Sequence, residues 1–278
     1  MSTHDLHATQ AKTQGHYAPV NGLSLYYEIH GSGQPLVLLH GGFGLVGMFA
    51  QLLPALAQTR QVIAVEMQGH GHTADIQRPF SFEALADDVA ALIEYLGLER
   101  ADVCGYSMGG GVALQTAIRH PQVVRKLVLI SSPCKRQGWY SADLAGMESI
   151  SVENMSKYFI HDVYRSVAPK PDDWPALVNK TRQLLGRENP YDWSAQVAHM
   201  QTPTLIVVGD QDGVRLDHAV EMLGLLRSAQ PAQPIQNAND SAQPASQLAI
   251  LPGVNHFTSI TRTDLLLPII TPFLDANP

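Results

Sequence analysis

The chain is predicted to be an α/β protein: a mostly parallel central sheet with helices on both faces, plus an inserted helical segment. Three observations carry that prediction. Short continuous apolar runs at 35–39, 61–65, 101–104, 127–130 and 203–208 have the length and composition of strands covered on both sides. Stretches of helical period separate them, and strand and helix alternate strictly as far as residue 130. The alternation then stops between 134 and 200 and resumes afterwards, which marks an insertion rather than a second domain.

The elements follow in order. Residues 1–16 are polar and read as a loose tail. Asn21-Gly22 is a strong two-residue turn signal, so the flanking residues from 17 to 30 read as a hairpin. The run 35–39 ends in His40-Gly41-Gly42-Phe43-Gly44, and a helix of roughly ten residues is expected from 48 to 57. After the strand at 61–65 comes an amphipathic helix. Ser81 is its N-cap, Glu83 lies in its first turn, and Phe82, Leu85, Val89, Leu92, Ile93 and Leu96 form its apolar face. Gly97 stops it. The strand at 101–104 leads through Gly105-Tyr106-Ser107-Met108-Gly109 into a helix reaching about Arg119.

Segment 134–200 holds all three tryptophans, Trp139, Trp174 and Trp193, and reads as a helical cap between core segments 17–133 and 201–278. Residues 228–247, rich in Gln, Pro, Asn, Ala and Ser, read as a mobile loop within that core. A last strand at 247–251 runs into Pro252-Gly253-Val254-Asn255-His256-Phe257, and an apolar helix at 264–274 closes the domain.

Length and charge bound the function. The 278 residues suit one large domain, and the net charge of −7 with no basic run argues against nucleic acid or an anionic membrane as partner. The N-terminus lacks an apolar signal core and no run is long enough to span a bilayer, so the cytoplasm is the expected compartment. Cys104 and Cys134 suggest no disulfide framework. No histidine pair has metal-ligand spacing, so neither metal nor cofactor is expected. The partner expected is a small-molecule ester; oligomeric state is left open, a homodimer being one option.

The chemistry concentrates in Gly105-Tyr106-Ser107-Met108-Gly109, a G-x-S-x-G turn between strand and helix. Such a turn holds its serine in a strained conformation, clear of the sheet, with the next N–H aimed where an oxyanion forms. A serine hydroxyl needs a base, and the base needs an orienting carboxylate. Ser107, Asp212 and His256 each follow a strand, so all three fall on one edge of the sheet.

Together with His40-Gly41-Gly42-Phe43 and Gly209-Asp210-Gln211-Asp212, these motifs resemble those of the α/β-hydrolases, from about residue 17 to 274. The resemblance implies Ser107 as nucleophile, His256 as general base and then acid, and Asp212 as its orienter. Asp210 is the competing carboxylate; the acid three residues past Gly209 is the one that similar sequences use. The resemblance also implies an oxyanion hole from the N–H groups of Met108 and of Gly42 or Phe43. Tyr106, Trp139, His161 and Phe257 are candidates for the substrate pocket. Glu66 is expected to cap backbone N–H groups. The resulting expectation is a cofactor-free serine hydrolase of small, fairly apolar carboxylic esters. Lactone, thioester and C–C bond hydrolysis, lyase or acyl-transfer chemistry, cofactor-free oxygenation or perhydrolysis, and ligand reception are its rivals.

Overall fold

The computed structural model describes residues 15–229 and 245–276. Its strands are β1 (His16–Val20), β2 (Leu23–His30), β3 (Gln34–Leu39), β4 (Arg60–Glu66), β5 (Ala101–Tyr106), β6 (Val124–Ile130), β7 (Thr204–Gln211) and β8 (Gln247–Asn255). They form one eight-stranded sheet in the order β1-β2-β4-β3-β5-β6-β7-β8. β1 pairs with β2, and β2 with β4, antiparallel; all other neighbours run parallel. Strand order reverses between β3 and β5, which is where open parallel sheets leave a crevice beyond their carboxyl ends.

The helices are α1 (Leu52–Leu56), α2 (Phe82–Tyr95), α3 (Met108–Arg119), α4 (Ser141–Glu148), α5 (Val152–Met155), α6 (Phe159–Val167), α7 (Trp174–Leu185), α8 (Ser194–Val197), α9 (Leu216–Ala229) and α10 (Thr263–Asp275). Period-two alternation explains why the central strands are apolar throughout. Val37, Leu39, Ile63, Val65 and Val103 face one side and pack with α2, α3 and α9. Leu36, Leu38, Val62, Ala64, Cys104 and Tyr106 face the other and pack with α1 and α10. Among the described residues no helix is long and apolar enough to cross a membrane.

Local chemistry sets the boundaries. Asn21 and Gly22 both take positive φ, as the tight β1–β2 turn requires. The Ser81 hydroxyl accepts from the Ala84 N–H at 3.0 Å, and Gly97 ends α2 at φ +67°.

Several expected boundaries move. The helix expected at 48–57 is a 3-10 turn (Val46–Phe49) followed by the short α1. Pro54 accounts for the break, because in a continuous helix its ring would collide with the carbonyl of Ala50. β1 opens at His16, inside the stretch read as tail; residues 1–14 lie outside the described residues. Most of the expected loop at 228–247 also lies outside them, and Ser228 and Ala229 belong to α9. β7 and β8 run on to Gln211 and Asn255, past a register shift between Gly209 and Gln211. The last strand thus reaches the residue before His256 rather than ending at 251.

Candidate active site

Ser107 is the hinge between β5 and α3. Its φ of 54° and ψ of −120° lie in a region that side chains avoid, and its N–H is held by the Ile130 carbonyl at 2.9 Å. Two glycines make so sharp a turn feasible. A Cβ on Gly105 would stand 2.1 Å from the Gly109 carbonyl oxygen, and one on Gly109 would stand 2.4 Å from that of His40. The strand and helix backbones therefore touch where any side chain would force them apart.

The three expected residues meet. His256 Nε2 lies 3.0 Å from Ser107 Oγ, and His256 Nδ1 lies 3.0 Å from Asp212 Oδ1. Asp212 is buried and also accepts from the Val214 N–H at 3.1 Å. Burial alone would raise its carboxyl pKa. The hydrogen bond and charge of His256, the Ser131 hydroxyl and the Val214 N–H outweigh burial and hold it below the usual carboxylate range. An ionised Asp212 can only accept, so His256 donates from Nδ1 and leaves Nε2 to accept from Ser107.

The Ser131 hydroxyl donates to Asp212 Oδ2 at 2.5 Å from a fully buried position at φ 54°. Nothing in the sequence singles Ser131 out. A bare serine carries no pattern, and its partner is 81 positions away. Asp210, the rival carboxylate, accepts instead from the Gly253 N–H at 2.8 Å on the exposed rim.

The turn after β3 lies beside Ser107. A Cβ on Gly41 would stand 3.3 Å from Ser107 Cβ. Gly44 N–H closes the turn onto the Gly41 carbonyl at 3.0 Å, with Phe43 at φ +60°. His40 holds it from beneath. Its Nδ1–H donates to the Gly41 carbonyl at 2.7 Å, and its Nε2 accepts the Met67 N–H at 3.1 Å. Burial, with His70 alongside, lowers the His40 pKa to about 3, so the ring stays neutral and keeps both bonds. Glu66 accepts the N–H groups of Val46 at 3.0 Å and His72 at 2.6 Å. Met108, the first residue of α3, carries one of the N–H groups that a helix start leaves free.

The four pocket candidates go to different places. Trp139 is buried edge-on to the His256 ring at 5.3 Å, with its indole N–H on the Tyr191 hydroxyl. Phe257 is exposed and stands 5.7 Å from the same ring. Tyr106 is a support rather than a pocket wall, because strand alternation turns it to the α1–α10 face. There its hydroxyl donates to the His256 carbonyl at 2.9 Å. His161, on α6, stands 4.9 Å from Trp174 rather than beside the triad. Trp174 in turn packs against Phe43 at 5.9 Å, so helices α4–α8 reach the turn after β3 through α7. Among the described residues no group of three or more His, Cys, Asp or Glu side chains is placed to hold a metal ion.

Comparison with known proteins adds to this geometry. A family model described as alpha/beta hydrolase fold matches residues 34–142. The acetyltransferase component of the acetoin cleaving system of Pseudomonas putida is 29% identical over 89% of this chain and 65% of its own length. The 2-hydroxymuconate semialdehyde hydrolase of Pseudomonas sp. (strain CF600) is 41% identical over 37% of this chain and 38% of its own. The matched segments thus span less than two thirds of these curated relatives. Among solved structures, the enol-lactonase of Burkholderia xenovorans LB400 superposes with a TM-score of 0.70 at 22% identity, covering 94% of this chain and 100% of that one. With its mostly parallel eight-stranded sheet and these likenesses, the chain has the α/β-hydrolase fold.

Proposed function

We propose that the protein is a serine hydrolase of small, fairly apolar carboxylic esters that works through an acyl-enzyme, with helices α4–α8 as its cap. The observation that carries this reading is the unbroken relay from Ser107 Oγ to His256 to Asp212, at 3.0 Å for each link. Ser107 Oγ forms a bond to the acyl carbon as its proton passes to His256 Nε2. The resulting oxyanion rests on the N–H groups of Met108 and of Gly42 or Phe43; one such donor typically contributes about 2.7–4 kcal/mol to the transition state. The carbon–alkoxide bond then breaks, and His256 returns the proton to the departing alcohol. Water repeats the sequence, giving its proton to His256 and releasing the acid from Ser107.

The likeness to 2-hydroxymuconate semialdehyde hydrolase supports a second reading, in which the same residues hydrolyse a C–C bond next to a carbonyl. Steady-state assays of p-nitrophenyl butyrate against a panel of lactones, thioesters and vinylogous ketones separate the two. On the ester reading, p-nitrophenyl butyrate is turned over and Ser107→Ala lowers kcat by about 10⁴-fold or more. Undiminished turnover in that variant removes the proposal.

A further inference from the structure

Two hydrogen bonds hold the His256 imidazole, Nδ1 on Asp212 and Nε2 on Ser107, each at 3.0 Å. Both lie in the plane of the ring, so neither stops it tilting about the line that joins them. Contacts with its faces and edges have to do that. Three aromatic rings supply them: Tyr106 at 5.3 Å, Trp139 at 5.3 Å and Phe257 at 5.7 Å between centroids. Phe257 is 82% exposed and makes no fixed wall, whereas Tyr106 belongs to β5. Trp139 is buried and comes from neither neighbourhood, standing between β6 and α4.

Trp139 is itself fastened on two sides. Its backbone pairs antiparallel with Val214. Flanking that pair, the Tyr140 N–H donates to the Gly213 carbonyl and the Arg215 N–H to the Gly138 carbonyl, both at 2.8 Å. Its indole N–H donates to the Tyr191 hydroxyl at 3.1 Å. The Tyr191 ring stacks on Trp193 at 4.6 Å and meets Phe82 of α2 at 5.3 Å, which ties the indole to the core. Val214 closes a circuit. Its N–H donates at 3.1 Å to Asp212 Oδ1, the oxygen that also takes the His256 Nδ1 proton. Trp139 thus meets the imidazole with its side chain and, through Val214, the carboxylate that orients it. Filling space alone would require neither link.

We propose that Trp139 is a positioning residue: its indole walls in the His256 imidazole, so that Nε2 stays on Ser107 and Nδ1 on Asp212. This rests on the ester reading above and gives Trp139 a part in proton transfer rather than in substrate binding. The test measures hydrolysis of p-nitrophenyl acetate by the native protein, Trp139→Phe and Trp139→Leu. A misplacement of about 1 Å costs on the order of 100-fold in rate, so Trp139→Leu lowers kcat by about that factor with KM nearly unchanged. Trp139→Phe, which keeps a ring, loses about tenfold. A raised KM with unchanged kcat makes Trp139 a pocket wall and overturns the proposal, as does a native kcat in either variant. The low-field proton resonance of His256 Nδ1–H, assigned by its absence in His256→Gln, gives a readout that needs no substrate. It is sharp in the native protein, broadened in Trp139→Phe and lost to exchange with water in Trp139→Leu. A resonance that both variants leave sharp overturns the proposal. If the native protein hydrolyses no ester, the ester reading falls, and the resonance alone decides the role of Trp139. Where Trp139→Leu does not fold, Trp139→Phe decides by the same two measurements.

Discussion

Ser131 does for Asp212 what Asp212 does for His256: it fixes one oxygen so that the other is free to serve. Its hydroxyl is held to Asp212 Oδ2 at 2.5 Å by a backbone at φ 54°, a conformation that serine adopts only under constraint. Hydrogen bonds to a charged group are among the stronger ones, roughly 1.5–3 kcal/mol. Ser131→Ala should therefore lower kcat/KM for an ester about tenfold or more, with KM nearly unchanged. It should also lift the Asp212 pKa, since one of the groups holding it down is gone. A folded pKa below the unfolded value gives stability that is present above about pH 4 and lost as pH falls through the folded value. Urea unfolding between pH 5 and pH 3 should thus show a smaller loss in Ser131→Ala than in the native protein; equal losses contradict this role. Ser131 was not legible as a site residue in the sequence, because a single hydroxyl gains meaning only from distant neighbours. Ser107 was legible because its chemistry needs glycines at fixed spacing.

The strand-turn-helix at Ser107 and the turn after β3 are built against each other, so each constrains the other. Gly109→Ala would drive a Cβ to 2.4 Å from the His40 carbonyl oxygen, and backbone cannot yield as a flexible side chain can. We expect a loss of about 3 kcal/mol or more in chemical unfolding, with ester hydrolysis lost too. Beneath the turn, His40 and His70 are buried with ring centroids 4.9 Å apart. Burial lowers the His70 pKa to about 4, the hydrogen bond to Gln68 only partly offsetting it. Neutral when folded, this ring gains a proton on unfolding below pH 6.5, so stability falls from pH 6.5 towards 4. The native protein should lose about 1.4 kcal/mol more per pH unit in that window than His70→Gln. Equal slopes would show that His70 does not stay neutral. Periodicity announced α2 and α3 nearly to the residue, since caps and apolar spacing are local. It missed the split at Pro54 and the long ends of β7 and β8, where pairing across the sheet sets the length.

Across the molecule, the fold brings together residues that the sequence keeps far apart. Ser107 follows β5, Asp212 follows β7 and His256 follows β8, so parallel strands deliver all three to one edge of the sheet. The alternation of apolar runs and helical stretches was enough to place them on that edge. How α7 packs onto the turn after β3 was not legible, because contacts between separate elements follow tertiary packing rather than any repeating pattern. The proposed hydrolysis depends on Ser107 being a nucleophile that His256 activates. Mass spectrometry after brief exposure to a fluorophosphonate tests this most directly. We expect one adduct per chain, on the peptide containing Ser107, and its loss in both Ser107→Ala and His256→Ala. An adduct on another residue, or undiminished labelling without His256, would contradict it.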